Sequence, residues 1–311
     1  MPRVSIIIPC FNAAPWIEET IRSALAQTHA DREIIVIDDG STDDSLRRAR
    51  TFEPAGVRVV TQRNAGASAA RNHGLRLATG DFIQYLDADD LLAPDKIERQ
   101  LREFGRDPST RLTSASWARF QSSIIDSKRE INSLSADLSA TDFIRLALQH
   151  HHMMHPAAWL VPTAVCRAAG GWNEDLSLND DGEYFARIVL AAGRIRHVRE
   201  SITFYRSGLA GSLSRSRSER AWRSQLRSTA LTVDHMLAAS DTRAARQAAA
   251  DAIRRDCLDA YPFCHAIRAE MERKIAVLGG SRLCYQAGPR YALLAKFIGW
   301  KMAKRIRNQL G

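Results

Sequence analysis

The chain has 311 residues, 45% hydrophobic and 25% charged, a balance that suits a globular domain with a sizeable core and excludes disordered and fibrous classes. The net charge of +9 is uneven: residues 1–210 carry 25 Lys/Arg against 27 Asp/Glu, and residues 211–311 carry 19 against 8. Bulk charge therefore speaks against a nucleic-acid partner for the first two thirds and confines any attraction to anionic surfaces to the last third.

Five cysteines, with no C-x-x-C pair, argue against a disulfide framework or a zinc knuckle and favour a reducing compartment. The opening "MPRVSIIIPCFN" is too short in apolar content for a secretion signal, and no stretch approaches the ~20 apolar residues of a membrane span. The expected location is the cytoplasm.

In chain order, "VSIII" (4–8) predicts a strand buried on both faces, and Pro15 opens a helix carrying Ile17, Ile21, Ala24 and Leu25. "EIIVID" (33–38) is a second strand, followed by a helix that Ser41 or Thr42 can cap. "VRVVT" (57–61), a small-residue helix within 64–80 and "DFIQYL" (81–86) complete a βαβαβαβ order, which implies a mostly parallel sheet flanked by helices. A helix is expected near 94–104, strands at 112–120, 156–161 and 201–206, and helices at 141–149, 163–169 and 180–193. Residues 207–218 have linker composition, and everything after Glu219 reads as helix. The expected division is an α/β domain over 1–210 and a basic helical region over 211–311.

Open parallel sheets bind ligands beyond the carboxyl ends of their strands. Two acidic clusters fall at such ends, Asp38-Asp39 and Asp87/Asp89/Asp90. The first pair can cap a helix or accept hydrogen bonds from a base or ribose. For "DADD", two like charges ~5 Å apart repel by roughly 3 kcal/mol at an effective dielectric of about 20. A solvated turn relieves that repulsion, and so does a hard divalent cation such as Mg²⁺ or Mn²⁺, which completes its shell with phosphate oxygens and water.

"SIIIPCFNAAPWIEETIRSALAQT", "EIIVIDDGSTDDS", "QRNAGASAARNHGLRLATGDFIQYLDADD" and "LNDDGEYFARI", in this order, resemble the family 2 glycosyltransferases with the GT-A fold. The resemblance covers about residues 3–210. It implies an inverting transferase with a nucleotide-sugar donor, read as a UDP-sugar, a divalent metal, Mn²⁺ or Mg²⁺, and a glycan or lipid-linked acceptor. By position, it places Pro9, Phe11 and Asn12 against the nucleotide, Asp39 on the base or ribose and Arg71 near the diphosphate. Asp87 then lies beside the ribose and sugar, Asp89 on the metal, and Asp181 is the general base. Asp180 stands where the family usually has Glu, and Phe11 where it more often has Tyr. The family's His after "YR" is absent here, where the chain reads "YRSGLAGS".

Adjacent histidines in "HHHMMHP" (150–156) cannot all face one ion; His155, with Trp159 and Trp172, is instead a candidate for the acceptor side, as is Asp90, which can otherwise support the turn. For both tryptophans, core packing is an equal alternative. The tail "RYALLAKFIGWKMAKRIRNQL" (290–310) places Tyr291, Leu294, Ile298, Met302 and Ile306 on one helical face, with Lys296, Lys304 and Arg307 roughly opposite and Leu293, Phe297 and Trp300 among them. Such a helix suits an anionic membrane surface, at the inner face of the cell membrane, or packing on the domain. Two other functions stay open: a haloacid dehalogenase-like phosphohydrolase, and a catalytically silent scaffold of the same fold.

Overall fold

The computed structural model of the protein describes residues 1–104, 111–209, 216–285 and 289–310. The first half alternates β1 (Val4–Cys10), α1 (Ile17–Leu25), β2 (Arg32–Asp38), α2 (Ser45–Arg50), β3 (Val57–Thr61), α3 (Ala67–Leu77) and β4 (Phe82–Tyr85). Its strands run parallel in the order β3-β2-β1-β4. The chain moves outward from β1 on one side and returns to its other side with β4. That reversal opens a crevice at the carboxyl ends of β1 and β4.

There follow β5 (Leu91–Leu92), α4 (Lys96–Arg102), β6 (Leu112–Phe120), β7 (Lys128–Glu130), β8 (Leu138–Ser139), α5 (Ala140–His150), β9 (Trp159–Pro162), α6 (Thr163–Ala169), α7 (Asp180–Ala192) and β10 (Arg194–Arg206). The sheet is mixed rather than mostly parallel, because β9 joins its halves and runs antiparallel to both β4 and β6. The strand expected at 156–161 begins only at Trp159, since Pro156–Ala158 form a 3₁₀ turn. The short strand expected at 201–206 is the end of a 13-residue β10, whose register against β6 shifts between Val198 and Ile202.

Alternation along β1 sorts the core into two layers. Val4, Ile6 and Ile8 pack with Ile17 and Ile21 on one face, and Ile7 packs with Tyr85, Trp159 and Tyr184 on the other. Each such fully buried isoleucine contributes roughly 1.5–3 kcal/mol. The small residues of α3 let it lie directly on β1: a Cβ at Gly74 would stand 2.3 Å from Ile7 Cγ2.

Helices α8 (Glu219–Ala239), α9 (Arg243–Ala260), α10 (His265–Val277) and α11 (Pro289–Leu310) follow. Leu226, Val233, Met236 and Ile253 bury their side chains in the same apolar layer as Tyr184 and Ile188. Helix α11 is interrupted at Gly299 (φ 77°, ψ 152°). Lys304, expected on its polar face, is buried, and its ammonium donates to the carbonyls of Leu258 and Asp259 in the last turn of α9. A cation at a helix C-terminus complements the carbonyls left without intrahelical partners. Tyr291, Leu294 and Arg307 lie outside the described side chains. Among the described residues no helix is long and apolar enough to cross a membrane.

Candidate active site

The β1 end is knitted to the β2 loop. Asn12 adopts a left-handed conformation (φ 49°), its Oδ1 accepts from Thr42 N–H (2.8 Å), and its own N–H donates to Ser41 Oγ (3.0 Å). Ser41 and Thr42 therefore hold this loop rather than cap α2, whose first amide, Ser45 N–H, donates to Asp43 Oδ1 instead (2.9 Å). Phe11 is half exposed at the same edge, and Pro9 is partly buried. Asp39 is buried and accepts from Gln62 Nε2 (2.7 Å), Ala65 N–H (2.9 Å) and Gly66 N–H (2.8 Å), which fixes the turn into α3. Its Oδ2 takes only the Gly66 bond among the described residues.

At the β4 end the "DADD" acids divide. Asp90 is 1% exposed: Oδ1 accepts from Arg206 N–H (2.8 Å), and Oδ2 shares a hydrogen bond with His155 Nδ1 (3.0 Å). His155 in turn meets Thr203 Oγ1 through Nε2 (2.8 Å). Burial holds His155 at about 4, so the imidazole is neutral. Arg206 threads behind the turn, donating to Asp89 O (2.8 Å) and Gln121 O (3.0 Å) and pairing with Glu19, with its guanidinium over Trp16 and Phe120. The Asp89 carboxylate is not drawn into this brace. Burial first, then Asp90 and Asp87, raise it to about 8. A carboxylate so disfavoured as an anion is relieved by a divalent cation, so the residues present fit the expected metal.

Arg71 joins this cluster to the second half of the chain. Its guanidinium donates to Asp87 Oδ1 (2.7 Å) and Asp180 Oδ2 (2.9 Å) and lies 4.3 Å over the Trp172 ring, which stacks on Tyr184. Burial works against its charge, but the two carboxylates outweigh burial and keep Arg71 ionised. Asp180 Oδ2 also accepts from Ser68 Oγ (2.9 Å). Asp181, in contrast, accepts only Gly182 N–H (2.9 Å) among the described residues. Burial, followed by repulsion from Asp180, raises Asp181 to about 6. Of the neighbouring acids, Asp180 is engaged by Arg71 and Ser68, and Asp181 is not.

The loop entering α7 is held from α8. Ser224 Oγ accepts from Ser177 N–H (2.8 Å) and Leu178 N–H (2.9 Å), and the Ser228 hydroxyl donates to Asn179 O while Asn179 Nδ2 donates to it (3.0 Å). Asn179 is left-handed (φ 58°), and a Cβ at Gly182 would stand 2.4 Å from Asn179 Oδ1, so a larger residue there would have to displace the Asn179 amide. Ser228→Ala strips two partners from a buried turn. It is expected to cost about 1–3 kcal/mol in urea unfolding and to lower turnover more than donor affinity. Unchanged turnover would detach this latch from catalysis.

The structure thus brings Asp87, Asp180, Asp181 and Arg71 into one network, with Asp89 beside Asp87 in the same turn. It does not place the expected acceptor residues on a surface. His155 and Trp159 are each 1% exposed and Trp172 is 3% exposed. Trp159 stacks on Phe185, Trp172 supports Arg71, and Asp90 with His155 braces the turn from behind. Arg206, Ser68, Ser224 and Ser228 were not singled out in the sequence, and only the place of Arg206, where the family's His motif fails, marked the first of them.

A sequence profile of "Glycosyl transferase family 2" matches residues 5–170, more than half of the chain. The chain belongs to glycosyl transferase family 2. Chondroitin synthase of Escherichia coli is 43% identical over 111 residues, covering 35% of this chain and 16% of that protein. The putative teichuronic acid biosynthesis glycosyltransferase TuaG of Bacillus subtilis is 41% identical over 103 residues, covering 32% and 41%. This family 2 chain thus matches less than half the length of these curated relatives. Among solved structures, S. aureus TarS 1–349 in complex with UDP superposes with a TM-score of 0.65 at 16% identity, covering 99% of this chain and 92% of that one. Mannosyltransferase PcManGT from Pyrobaculum calidifontis, in complex with GDP-Man and Mn²⁺, gives 0.55 at 19% identity, covering 99% and 83%. These likenesses show the GT-A fold expected of the family, with a helical C-terminal region. Family membership sets the phosphohydrolase alternative aside.

Proposed function

We propose that the protein is an inverting glycosyltransferase that moves a sugar from a nucleotide-diphosphate donor, read as a UDP-sugar, to a hydroxyl of a glycan or lipid-linked acceptor in polysaccharide assembly. The observation that carries this reading is the division of labour between Asp180 and Asp181. Arg71 and Ser68 occupy Asp180, whereas Asp181 has its proton affinity raised to about 6 and keeps lone pairs available. A carboxylate poised near neutral pH can remove the proton of an attacking hydroxyl.

Pro9, Phe11 and Asn12 line the edge proposed for the nucleotide, with Asp39 Oδ2 accepting from the base or ribose. Asp87, oriented by Arg71, sits beside the donor sugar and ribose. Asp89 would hold Mn²⁺ or Mg²⁺, which supplies positive charge to the departing diphosphate. The described residues contain no group of three or more His, Cys, Asp or Glu side chains arranged as a complete protein cage. Such a metal needs only one or two protein carboxylates when phosphate and water complete its shell. The UDP bound by the S. aureus neighbour and the GDP-Man with Mn²⁺ in the archaeal one support a nucleotide-sugar and a divalent cation as the ligands.

The test is calorimetric titration of candidate nucleotide sugars with and without Mn²⁺ or Mg²⁺. Metal-dependent donor binding is expected for the wild type, and Asp89→Ala should lose it while Asp90 and Arg206 preserve the turn. Equal donor affinity of Asp89→Ala with and without metal would remove the metal assignment.

A further inference from the structure

Helix α11 presents an apolar surface that the rest of the described chain does not cover. Leu293 is 66% exposed, Phe297 80%, Ile298 43% and Met302 48%. Beyond its break at Gly299 the helix is fixed to the body. Lys304 is buried against the end of α9, Ala303 is fully buried, and Trp300 packs on Tyr261 (5.2 Å between ring centroids) and Tyr285 (5.5 Å). A helix anchored beyond its break, with four large apolar side chains left exposed on either side of that break, offers an interaction surface.

The charge around it selects the partner. Lys296, Lys301 and Arg305 are exposed among the apolar residues, and no Asp or Glu occurs anywhere after Glu272. Beside α11, a cavity of about 450 Å³ is lined by Arg254, His265, Arg268, Trp300 and Lys301, and by Glu272, which pairs with Arg254. A nucleic-acid backbone would meet the cations and leave Phe297 and Leu293 unused, and an apolar protein groove would bury the cations unpaired. An anionic bilayer surface takes both, with lysines at the phosphates and apolar side chains below them. Since α11 cannot span a membrane, it would lie in the interface plane.

We infer that α11 docks the protein on an anionic phospholipid surface through Leu293, Phe297, Ile298 and Met302, flanked by Lys296, Lys301 and Arg305. This surface stands apart from the transfer reaction and does not depend on it.

Co-flotation of the full chain with vesicles tests the inference, using phosphatidylcholine alone and phosphatidylcholine with phosphatidylglycerol. Binding is expected only to the anionic vesicles and should weaken as salt rises. Lys296→Glu with Lys301→Glu should lower the partition coefficient by at least about 25-fold, taking on the order of fivefold per lysine. Leu293→Ser with Phe297→Ser should lower it comparably while leaving the thermal midpoint unchanged, because these side chains touch solvent. Donor binding should be unaffected in both variants, which separates failure of this surface from failure of the active-site reading. Equal flotation with neutral vesicles, full binding by both variants, or a solution dimer abolished by Phe297→Ser without vesicle binding would each overturn the inference.

Discussion

Asp181→Asn is expected to bind donor as the wild type does and to slow sugar transfer by about 10²–10⁴-fold, the usual contribution of a positioned general base. Asparagine preserves the shape and the Gly182 contact but cannot accept the acceptor's proton. The same substitution should raise stability at neutral pH. Asp181 ionises at about 6 in the fold against an ordinary 3.8, because burial and Asp180 disfavour its charge. A group whose folded value is raised gives its full stabilising contribution below the unfolded value and loses it as pH rises through the folded one. Above pH 6 the ionised base is therefore held at a cost on the order of 2–3 kcal/mol, which the neutral amide relieves. The gain should fade as pH falls from 6 toward 4. In the wild type, kcat/KM for acceptor should rise with pH through about 6, following the ionised base. A variant that loses activity without gaining stability at pH 8 would contradict the environment described for Asp181, and one that retains transfer would contradict its role.

The second large effect belongs to Arg71. One buried guanidinium pairs with both Asp87 and Asp180 and rests on Trp172. Arg71→Ala leaves two carboxylates without their counterion, a loss that typically costs 3–5 kcal/mol, together with a cation–π contact of about 2 kcal/mol where desolvated. The two figures overlap and do not add. The variant should unfold at markedly lower urea concentration and show no detectable transfer. Its deficit should shrink on acidification, as the stranded carboxylates take up protons. Arg71→Lys should recover part of the stability and little of the activity, because a single ammonium cannot reproduce the two-armed contact. A deficit independent of pH would show that packing on Trp172, rather than charge, is what Arg71 supplies.

The parallel half of the sheet was legible because β1 and β2 are β-branched runs buried on both faces, a pattern that needs no partner to be recognised, while the half-exposed edge strand β3 still carries three valine or threonine positions around Val59. Strand β10 was read short because "RIRHVRES" alternates charge with apolar residues, and only pairing with β6 makes it a strand. The antiparallel entry of β9 has no local signature, since direction is decided by where the chain returns. Among site residues, Asp87, Asp89 and Asp181 stood out through their motifs, and the contrast between the bound Asp180 and the freer Asp181 required coordinates. The burial of the acceptor candidates has one cause. Trp159, Trp172 and His155 have the chemistry of a sugar-binding wall, and their burial is a non-local property set by Phe185, Tyr184 and Asp90. Lys304 was misread in the same way, because the carbonyls that receive it lie 45 residues or more away in sequence. Ser224 and Ser228 were invisible for that reason too.

Among all these tests, the stereochemistry of transfer bears most directly on the central claim. The proposed single base at Asp181, with Asp180 paired to Arg71, calls for one direct displacement at the anomeric carbon. Nuclear magnetic resonance of the product formed from an α-linked nucleotide sugar should show a β-linked sugar from the first turnover. An α-linked product would contradict the account.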